Sequence, residues 1–376
     1  MSSSGGSNQL KPIDLSPTLG MQHPTNKKVY LGVQILRGLA ACLVLFYHNA
    51  LVMSDRSGSA AFRLYFGQAG VDIFFAISGF VIVIVTVNSW GMKEAAGPFL
   101  LRRVLRVVPL YWIFTTVKIL TLITMPNVGE HTRLSVSLVV CSYLFIPPWS
   151  PDHYGFPILQ PGWTLSFEML FYICFACALT TGFKRPVVWL SLSFVLLTGL
   201  GFAQPGKFGS FSLLLNPLLL EFVLGMLVGW ATVRRMLLPT YIALPLGSVL
   251  LLVIGASNVL GPEIILYRVV FWGLPGALLL LSFVSLDRYF TGASARFPIA
   301  LGEASYSLYL THPFVVGASW SVLSKYTLLS GLWLWFPYLL IICVAAIFAL
   351  LVHRYVEGPL TRLLVDAISE KRRISG

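Results

Sequence analysis

The sequence predicts an all-α membrane protein, a polytopic helical bundle of about ten transmembrane helices. Of its 376 residues, 57% are hydrophobic and only 11% are charged, whereas soluble domains average about 25% charged residues. The mean hydropathy is +0.82. Apolar runs also continue from residue 30 to residue 355 with brief interruptions. A helix needs roughly 20 apolar residues to cross a bilayer, because unpaired backbone amides are too costly in hydrocarbon for other open structures.

Ten segments meet this requirement. They lie near residues 30–53, 69–88, 108–126, 163–181, 187–203, 211–230, 238–258, 264–286, 298–320 and 332–354. The apolar run 134–145 is too short to span, so it is assigned to a large external loop that can dip back into the protein. Residues 1–27 lack an apolar stretch and are predicted to be a disordered cytoplasmic tail. Residues 28–360 form the predicted transmembrane domain, and residues 361–376 a basic cytoplasmic tail.

The charge pattern predicts that both termini are cytoplasmic. With this map, eighteen Lys and Arg residues lie on the side of the N-terminus and six on the other side, and such an excess marks the cytoplasmic face. The net charge of +12 is dispersed between apolar segments, so no nucleic-acid partner is predicted. The five cysteines lie mostly inside apolar segments, and no disulfide framework or metal site is predicted.

The first span carries two ionisable groups, Arg37 and His48. They are 11 residues apart, which is close to three full turns, so they share one helix face about 16 Å apart along the axis. Ionisable groups at membrane depth are costly and indicate a polar site inside the bundle. With the N-terminus inside, Arg37 lies toward the cytoplasmic half and His48 toward the outer half. His48 can alternatively be a core histidine with satisfied hydrogen bonds.

Two carboxylates are expected at the depth of His48. Asp72 begins the second span, and Glu168 lies about one and a half turns into the fourth. A carboxylate beside an imidazole fixes its tautomer and stabilises its protonated form, as a general base requires. The alternative is that both carboxylates are structural partners.

A cluster of arginines precedes the third span, in PFLLRRVLRVVP. Arg103 and Arg106 fall on one helical face with Arg102 beside them, and arginine forks bind phosphate through two hydrogen bonds. A positive-inside flank is the alternative explanation. The ninth span carries Glu303, Ser305 and His312, for which structural pairing is favoured over a functional role.

Six stretches together resemble the acyltransferase-3 family of membrane acyltransferases, which modify bacterial surface and exported polysaccharides. They are VQILRGLAACLVLFYH, GQAGVDIFFAISGF, RRVLRVVPLYW, PGWTLSFEMLFY, ASYSLYLTHPF and HRYVEGPL, and they extend over residues 33–360. The family's arginine and histidine separated by ten residues match Arg37 and His48, and its RxxR pattern matches Arg103 and Arg106. One departure is Met169, where relatives commonly carry a second acidic residue. The opening of the second span is similar to exopolysaccharide acetyltransferases.

The resemblance implies O-acetyl transfer, or transfer of a similar short acyl group, from acetyl-CoA to a hydroxyl of a polysaccharide or of its polyprenyl-linked precursor. Arg37, Arg102, Arg103 and Arg106 are then expected to bind the donor, and His48, Asp72 and Glu168 to form the catalytic group. His48 either deprotonates the hydroxyl or is itself acylated. The expected location is a bacterial inner membrane, with membrane lipid and polysaccharide assembly proteins as further partners. The main alternative is a transporter or flippase of a lipid-linked sugar or an anion.

Overall fold

The computed structural model describes residues 29–57, 63–125, 134–148, 156–203, 213–323 and 334–375. The predicted tail 1–27 lies outside these residues. Within them the chain forms thirteen α-helices: α1 Leu31–Ser57, α2 Ala69–Thr86, α3 Ala96–Thr124, α4 Val136–Tyr143, α5 Gly162–Thr180, α6 Pro186–Ala203, α7 Leu219–Val233, α8 Thr240–Ala256, α9 Leu274–Ser285, α10 Ala293–Glu303, α11 Ser305–Leu323, α12 Trp335–Val352 and α13 Gly358–Ser375. Short 3-10 or π turns precede or follow several of them.

The prediction of an all-α polytopic membrane bundle is confirmed. In the described part of the chain, seven helical segments are long and apolar enough to cross a membrane: Leu31–Arg56, Tyr65–Ser89, Lys93–Thr124, Gly162–Thr180, Pro186–Ala203, Thr240–Ile265 and Trp335–Ile368. Two further apolar helices, Leu219–Val233 and Val269–Ser285, are shorter. The predicted span 298–320 divides at Ala304 into α10 and α11. The count of ten crossings therefore stays a prediction.

The largest boundary error concerns the third span. The sequence places its start near residue 108, but α3 begins at Ala96 and carries Pro109 in its interior. Proline is favoured at the first helical turn and disfavoured further along, yet Pro109 lies well inside this helix. In the structure the arginines of RRVLR lie on the same helix as the span. The hydroxyl of Tyr306 donates to the carbonyl oxygen of Val107 (2.6 Å), which adds a hydrogen bond close to the proline.

The bundle is organised around α1 and α2. Helix α1 contacts α2, α9, α10, α11 and α12, and α2 packs most extensively on α7. Glycines permit the closest approaches, because a Cβ at Gly225 would lie 1.9 Å from the carbonyl oxygen of Ala76, and one at Gly302 would lie 1.8 Å from that of Gln34. Small residues let helix backbones approach closely in membranes, where packing drives helix association.

Three apolar cores hold these helices together. The largest is rich in phenylalanine and lies between α2, α3, α5, α6 and α7. The second lies between α1, α2, α8 and α9, and the third between α1, α11 and α12. Helices α1, α2, α3, α5 and α11 thus surround a common interior region, which contains the ionisable side chains discussed below.

Candidate active site

A partly open cavity of about 100 Å³ lies between α1, α2, α3, α5 and α11. Its apolar wall comes mainly from valine, leucine and phenylalanine residues of α2, α3 and α5. Its polar lining consists of Arg37, Ser78, Arg103, Arg106, Thr164, Glu168, Tyr172, Ser305, Tyr306 and Tyr309. Clefts with apolar walls and a few convergent polar groups are the usual form of small-molecule sites.

Three of the four predicted donor-binding arginines line this cavity. Arg37 extends from α1, and Arg103 and Arg106 from α3, where a spacing of three places them on one helix face. Arg103 is 9% exposed. Arg102, the fourth predicted cation, is exposed and does not line the cavity.

The positions of the two buried or half-buried cations are supported by neighbouring side chains. The guanidinium carbon of Arg103 lies 5.7 Å from the ring centre of Phe99 and 5.6 Å from that of Tyr172, which is cation–π distance. Nη1 of Arg37 donates to Oε1 of Gln34 (3.3 Å). Aromatic faces can accommodate the cation without neutralising it.

Glu168 is the carboxylate of this cavity. Its Oε1 accepts hydrogen bonds from Ser78 (2.9 Å) and from the hydroxyl of Tyr172. Glu168 was expected beside His48, but it shares the cavity with the arginines instead. Helix α5 begins at Gly162, where Pro161 and Gly162 are both buried. That Glu168 lies at the depth of His48 stays a prediction.

Asp72 has a different partner from the one expected. Its Oδ1 and Oδ2 accept from Nε (3.0 Å) and Nη2 (2.8 Å) of Arg268, and its side chain is fully buried. The predicted pairing of Asp72 with His48 is wrong in this structure, because both carboxylate oxygens are occupied by the guanidinium fork. Arg268, one of the six basic residues counted on the outer side, lies next to Trp163 and Trp272 inside the protein.

His48 does not line the cavity and contacts a second histidine. Its ring centre is 4.8 Å from that of His312 on α11. The ring of His312 is 6.0 Å from that of Tyr309, and Tyr309 lines the cavity and shares a hydrogen bond with Thr164 (2.7 Å). A series of ring contacts through His312 and Tyr309 therefore connects His48 with the cavity.

Two residues, His312 and Arg268, were not predicted as part of the site or as partners of its residues. His312 had a visible signal, an ionisable residue inside an apolar segment, but it was assigned to structural pairing. Arg268 had the same signal, because it lies in the predicted span 264–286, but it was counted among the outer cations. The structure thus brings together Arg37, Arg103, Arg106 and Glu168, and separately His48 with His312.

Together, fold and site define a helical membrane protein with a positively charged interior cavity and an imidazole pair nearby. The family model described as Acyltransferase domain (Acyl_transf_3) matches residues 30–354. The chain therefore belongs to this acyltransferase family, as its motifs predicted.

Three relatives are similar to this chain over different lengths. The Exopolysaccharide production protein ExoZ of Rhizobium meliloti is 32% identical over 71% of this chain and 80% of its own. Nodulation protein 10 of Rhizobium leguminosarum bv. viciae is 29% identical over 37% of this chain and 41% of its own. Peptidoglycan O-acetyltransferase OatA of Listeria monocytogenes is 27% identical over 39% of this chain and 24% of its own. No solved structure matches the chain.

Proposed function

We propose that this membrane acyltransferase moves an acetyl group from acetyl-CoA to a hydroxyl of an exported polysaccharide or of its lipid-linked precursor. The observation that carries the proposal is the charge of the cavity lining, which contains three arginines and one carboxylate, with Glu357 as a second carboxylate near Arg37 and Arg106. A ligand with several phosphate groups would balance this excess. Coenzyme A carries three phosphates and delivers a thioester, which is the activated group that an acyltransferase needs.

The arginines would bind the donor at its phosphate end. Arg103 and Arg106 extend from one helix face and Arg37 from α1, so the three forks can contact different phosphates through paired hydrogen bonds. This binding matches the family's cytoplasmic source of acyl-CoA if the N-terminus is cytoplasmic, which stays a prediction. Arg102 is not needed for this part of the proposal, since it does not line the cavity.

His48 would carry the chemistry. In direct transfer, its Nε2 takes the proton of the acceptor hydroxyl while the hydroxyl oxygen bonds to the thioester carbon. The carbon–sulfur bond then breaks, and the imidazolium returns the proton to the leaving thiolate as coenzyme A departs. In the alternative relay, Nε2 is acylated first and the hydroxyl attacks the acyl-imidazole. Trapping an acetyl group on His48 without acceptor would favour the relay.

The relatives support a polysaccharide acceptor. One is named for exopolysaccharide production and another for O-acetylation of peptidoglycan, and the first covers most of this chain. We therefore place the protein in a bacterial inner membrane with cytoplasmic termini, acting beside polysaccharide assembly proteins. Glu168 belongs to the donor cavity in this scheme, and Asp72 has a structural role in its pair with Arg268.

The test is acetyl transfer by the purified protein in lipid nanodiscs. Labelled acetyl-CoA and polymer from cells lacking the protein are supplied, and acetyl groups on the polymer are measured by mass spectrometry. We expect transfer by the wild type and a loss of at least about 100-fold in His48→Ala, the range for a general base. Arg234→Gln, at an exposed position directly after α7, is the control with unchanged transfer.

The transporter alternative predicts a different result in cells. If His48→Ala, present at the normal level, leaves the acetyl content of the polymer unchanged while polymer export falls, the acyltransferase proposal fails. Absence of transfer by the purified wild type with every polymer fraction tested would also contradict it.

A further inference from the structure

Two imidazoles from different helices meet next to the proposed donor cavity. His48 of α1 and His312 of α11 have ring centres 4.8 Å apart, with an angle of 49° between their planes. His312 is 1% exposed, and His48 is half-buried. Burying an ionisable ring without compensation is costly, so the juxtaposition of two such rings calls for a chemical explanation.

Both rings are held by the same type of backbone contact. Nδ1 of His48 lies 2.9 Å from the carbonyl oxygen of Val44, and Nδ1 of His312 lies 3.3 Å from that of Leu308. A carbonyl oxygen can only accept, so each Nδ1 carries the proton and each neutral ring has its lone pair on Nε2. Among the described residues, Nε2 of His312 is buried without a hydrogen-bond partner. It is an acceptor whose donor is missing.

Neither ring has a hydrogen bond to a carboxylate in the described part of the chain. The titratable side chains in ring contact with the pair are Tyr47, 5.0 Å from His48, and Tyr309, 6.0 Å from His312. On the neighbouring helix α12, the hydroxyl of Tyr338 donates to the carbonyl oxygen of Phe46 (3.1 Å). The Nε2 of His312 is therefore a basic acceptor next to His48 that no other side chain uses.

We infer that His312 is the positioning and proton-sharing partner of His48, with the stabilising role that a carboxylate has beside other imidazole bases. This inference rests on the proposed function of His48. When Nε2 of His48 takes the hydroxyl proton, the lone pair on Nε2 of His312, whose ring centre is 4.8 Å away, stabilises the imidazolium. The proton then returns from Nε2 of His48 to the thiolate as the carbon–sulfur bond breaks. A second added proton would place like charges side by side, so the pair holds one proton at a time beyond its two Nδ1 protons.

The first test compares His312→Phe, His312→Gln and wild type in acetyl transfer across pH. Phe removes the acceptor. Gln keeps an amide oxygen that accepts a hydrogen bond but cannot take the proton. We expect kcat to fall roughly 10- to 100-fold in His312→Phe, less than the 10²–10⁴ of a general base itself, with KM for acetyl-CoA unchanged. His312→Gln should recover part of this loss.

The pH profile separates proton sharing from a structural role. Without its acceptor, protonated His48 is less stable, so the acid side of the kcat/KM profile should move to lower pH in His312→Phe, by roughly half a unit to one unit. His312→Gln should shift less. His353→Gln is the matched control. In the wild type, Nδ1 of His353 contacts Glu357 (2.9 Å) and neither His48 nor His312. An unshifted acid side in His312→Phe would overturn the inference.

A second measurement does not depend on acyl transfer. Diethyl pyrocarbonate acylates only unprotonated imidazole, and peptide mass spectrometry can follow its reaction with His48 in the folded protein at each pH. The midpoint should move to lower pH in His312→Phe and stay in place in His353→Gln. The same midpoint in wild type and His312→Phe would refute the pairing even if no acetyl acceptor were found. A shifted midpoint without any acetyl transfer would instead contradict the proposed function alone.

Discussion

Two charged regions lie inside this protein, and they differ in charge balance and in packing. Asp72 and Arg268 form a fork in which both carboxylate oxygens accept hydrogen bonds, and Trp163 and Trp272 lie near the guanidinium at 5.9 and 5.5 Å. In the other region, Arg37, Arg103 and Arg106 surround open space with Glu168 as their carboxylate neighbour. The first region contains a hydrogen-bonded ion pair with the buried Glu221 beside it, whereas the second has more arginines than carboxylates around open space.

This difference helps to separate structural from functional charges at membrane depth. Both regions carry the same sequence signal, ionisable residues inside apolar segments, which by default indicates a functional site. A buried cation whose hydrogen bonds and charge are satisfied within the protein has no free hydrogen-bond donors for a ligand and contributes little to its binding. A group of buried cations beside a cavity can gain from an anionic ligand. Charge balance and packing around each residue therefore decide the assignment.

Removal of the cation from the paired region should have the largest effect on stability. Arg268→Met leaves Asp72 without its partner, and Glu221 of α7 is also buried beside it. Breaking a buried pair from one side costs about 3–5 kcal/mol. We expect that loss in the free energy of unfolding, measured by denaturation in mixed micelles. The double variant Asp72→Asn with Arg268→Met should recover part of it, and a stable single variant would contradict a structural role for the pair.

The equivalent change in the open region should leave the fold nearly intact. In Arg103→Met the apolar part of the side chain still packs on Phe99 and Tyr172, and one of several like charges is removed. We expect the free energy of unfolding to stay within about 1 kcal/mol of wild type, since residues of binding sites often cost stability. Binding of acetyl-CoA should weaken by about 2 kcal/mol or more, roughly 30-fold.

Calorimetry on the nanodisc-embedded protein measures this second effect. Arg268→Met, in whatever fraction remains folded, is the matched comparison and should bind acetyl-CoA nearly as wild type does. If Arg103→Met is instead as unstable as Arg268→Met and binds acetyl-CoA normally, Arg103 has a structural role and the cavity is not the donor site.

Glu168→Gln adjusts the charge of the open region in the opposite direction. The amide keeps an oxygen that can accept from Ser78 and Tyr172 but removes the negative charge from beside the arginines. The cavity becomes more positive, so affinity for acetyl-CoA should rise by about 1 kcal/mol, roughly fivefold, for a screened charge in a medium of intermediate dielectric constant. The dissociation constant from the same calorimetry tests this. Weaker binding would show that Glu168 itself contacts the donor.

The helical membrane fold could be predicted from the sequence because hydrophobic length is a local property. Nine of the ten predicted spans overlap single helices or helical segments, and the tenth is α10 and α11 divided at Ala304. The start of α3 was placed too late, because the arginines before residue 108 were taken to precede the span. In the site, Arg37, Arg103 and Arg106 line one cavity, although Arg106 is exposed, and their role in binding a donor stays a prediction.

The partners of the site residues could not be predicted in the same way. That Asp72 faces Arg268, that Glu168 faces the arginines and that His48 faces His312 are consequences of how α1, α2, α5, α9 and α11 pack. Distance along one helix gives depth and face, but it does not tell which neighbouring helix lies on that face. The close approaches at Gly225 and Gly302 set that arrangement, and they depend on helix pairs rather than on either helix alone.

Substitution of an exposed cation is the reference for the two interior regions and should have the smallest effect on stability and on binding. Arg234, at the end of α7, is exposed and lies 5.1 Å from the ring centre of Trp230, a contact worth about 0.5–1 kcal/mol at such a site. Arg234→Gln should therefore change the free energy of unfolding by no more than about 1 kcal/mol and leave the affinity for acetyl-CoA unchanged. Denaturation measures the free energy of unfolding of this variant, and calorimetry measures its affinity for acetyl-CoA. A loss of affinity like that of Arg103→Met would mean that overall positive charge, rather than the three arginines of the cavity, attracts the donor.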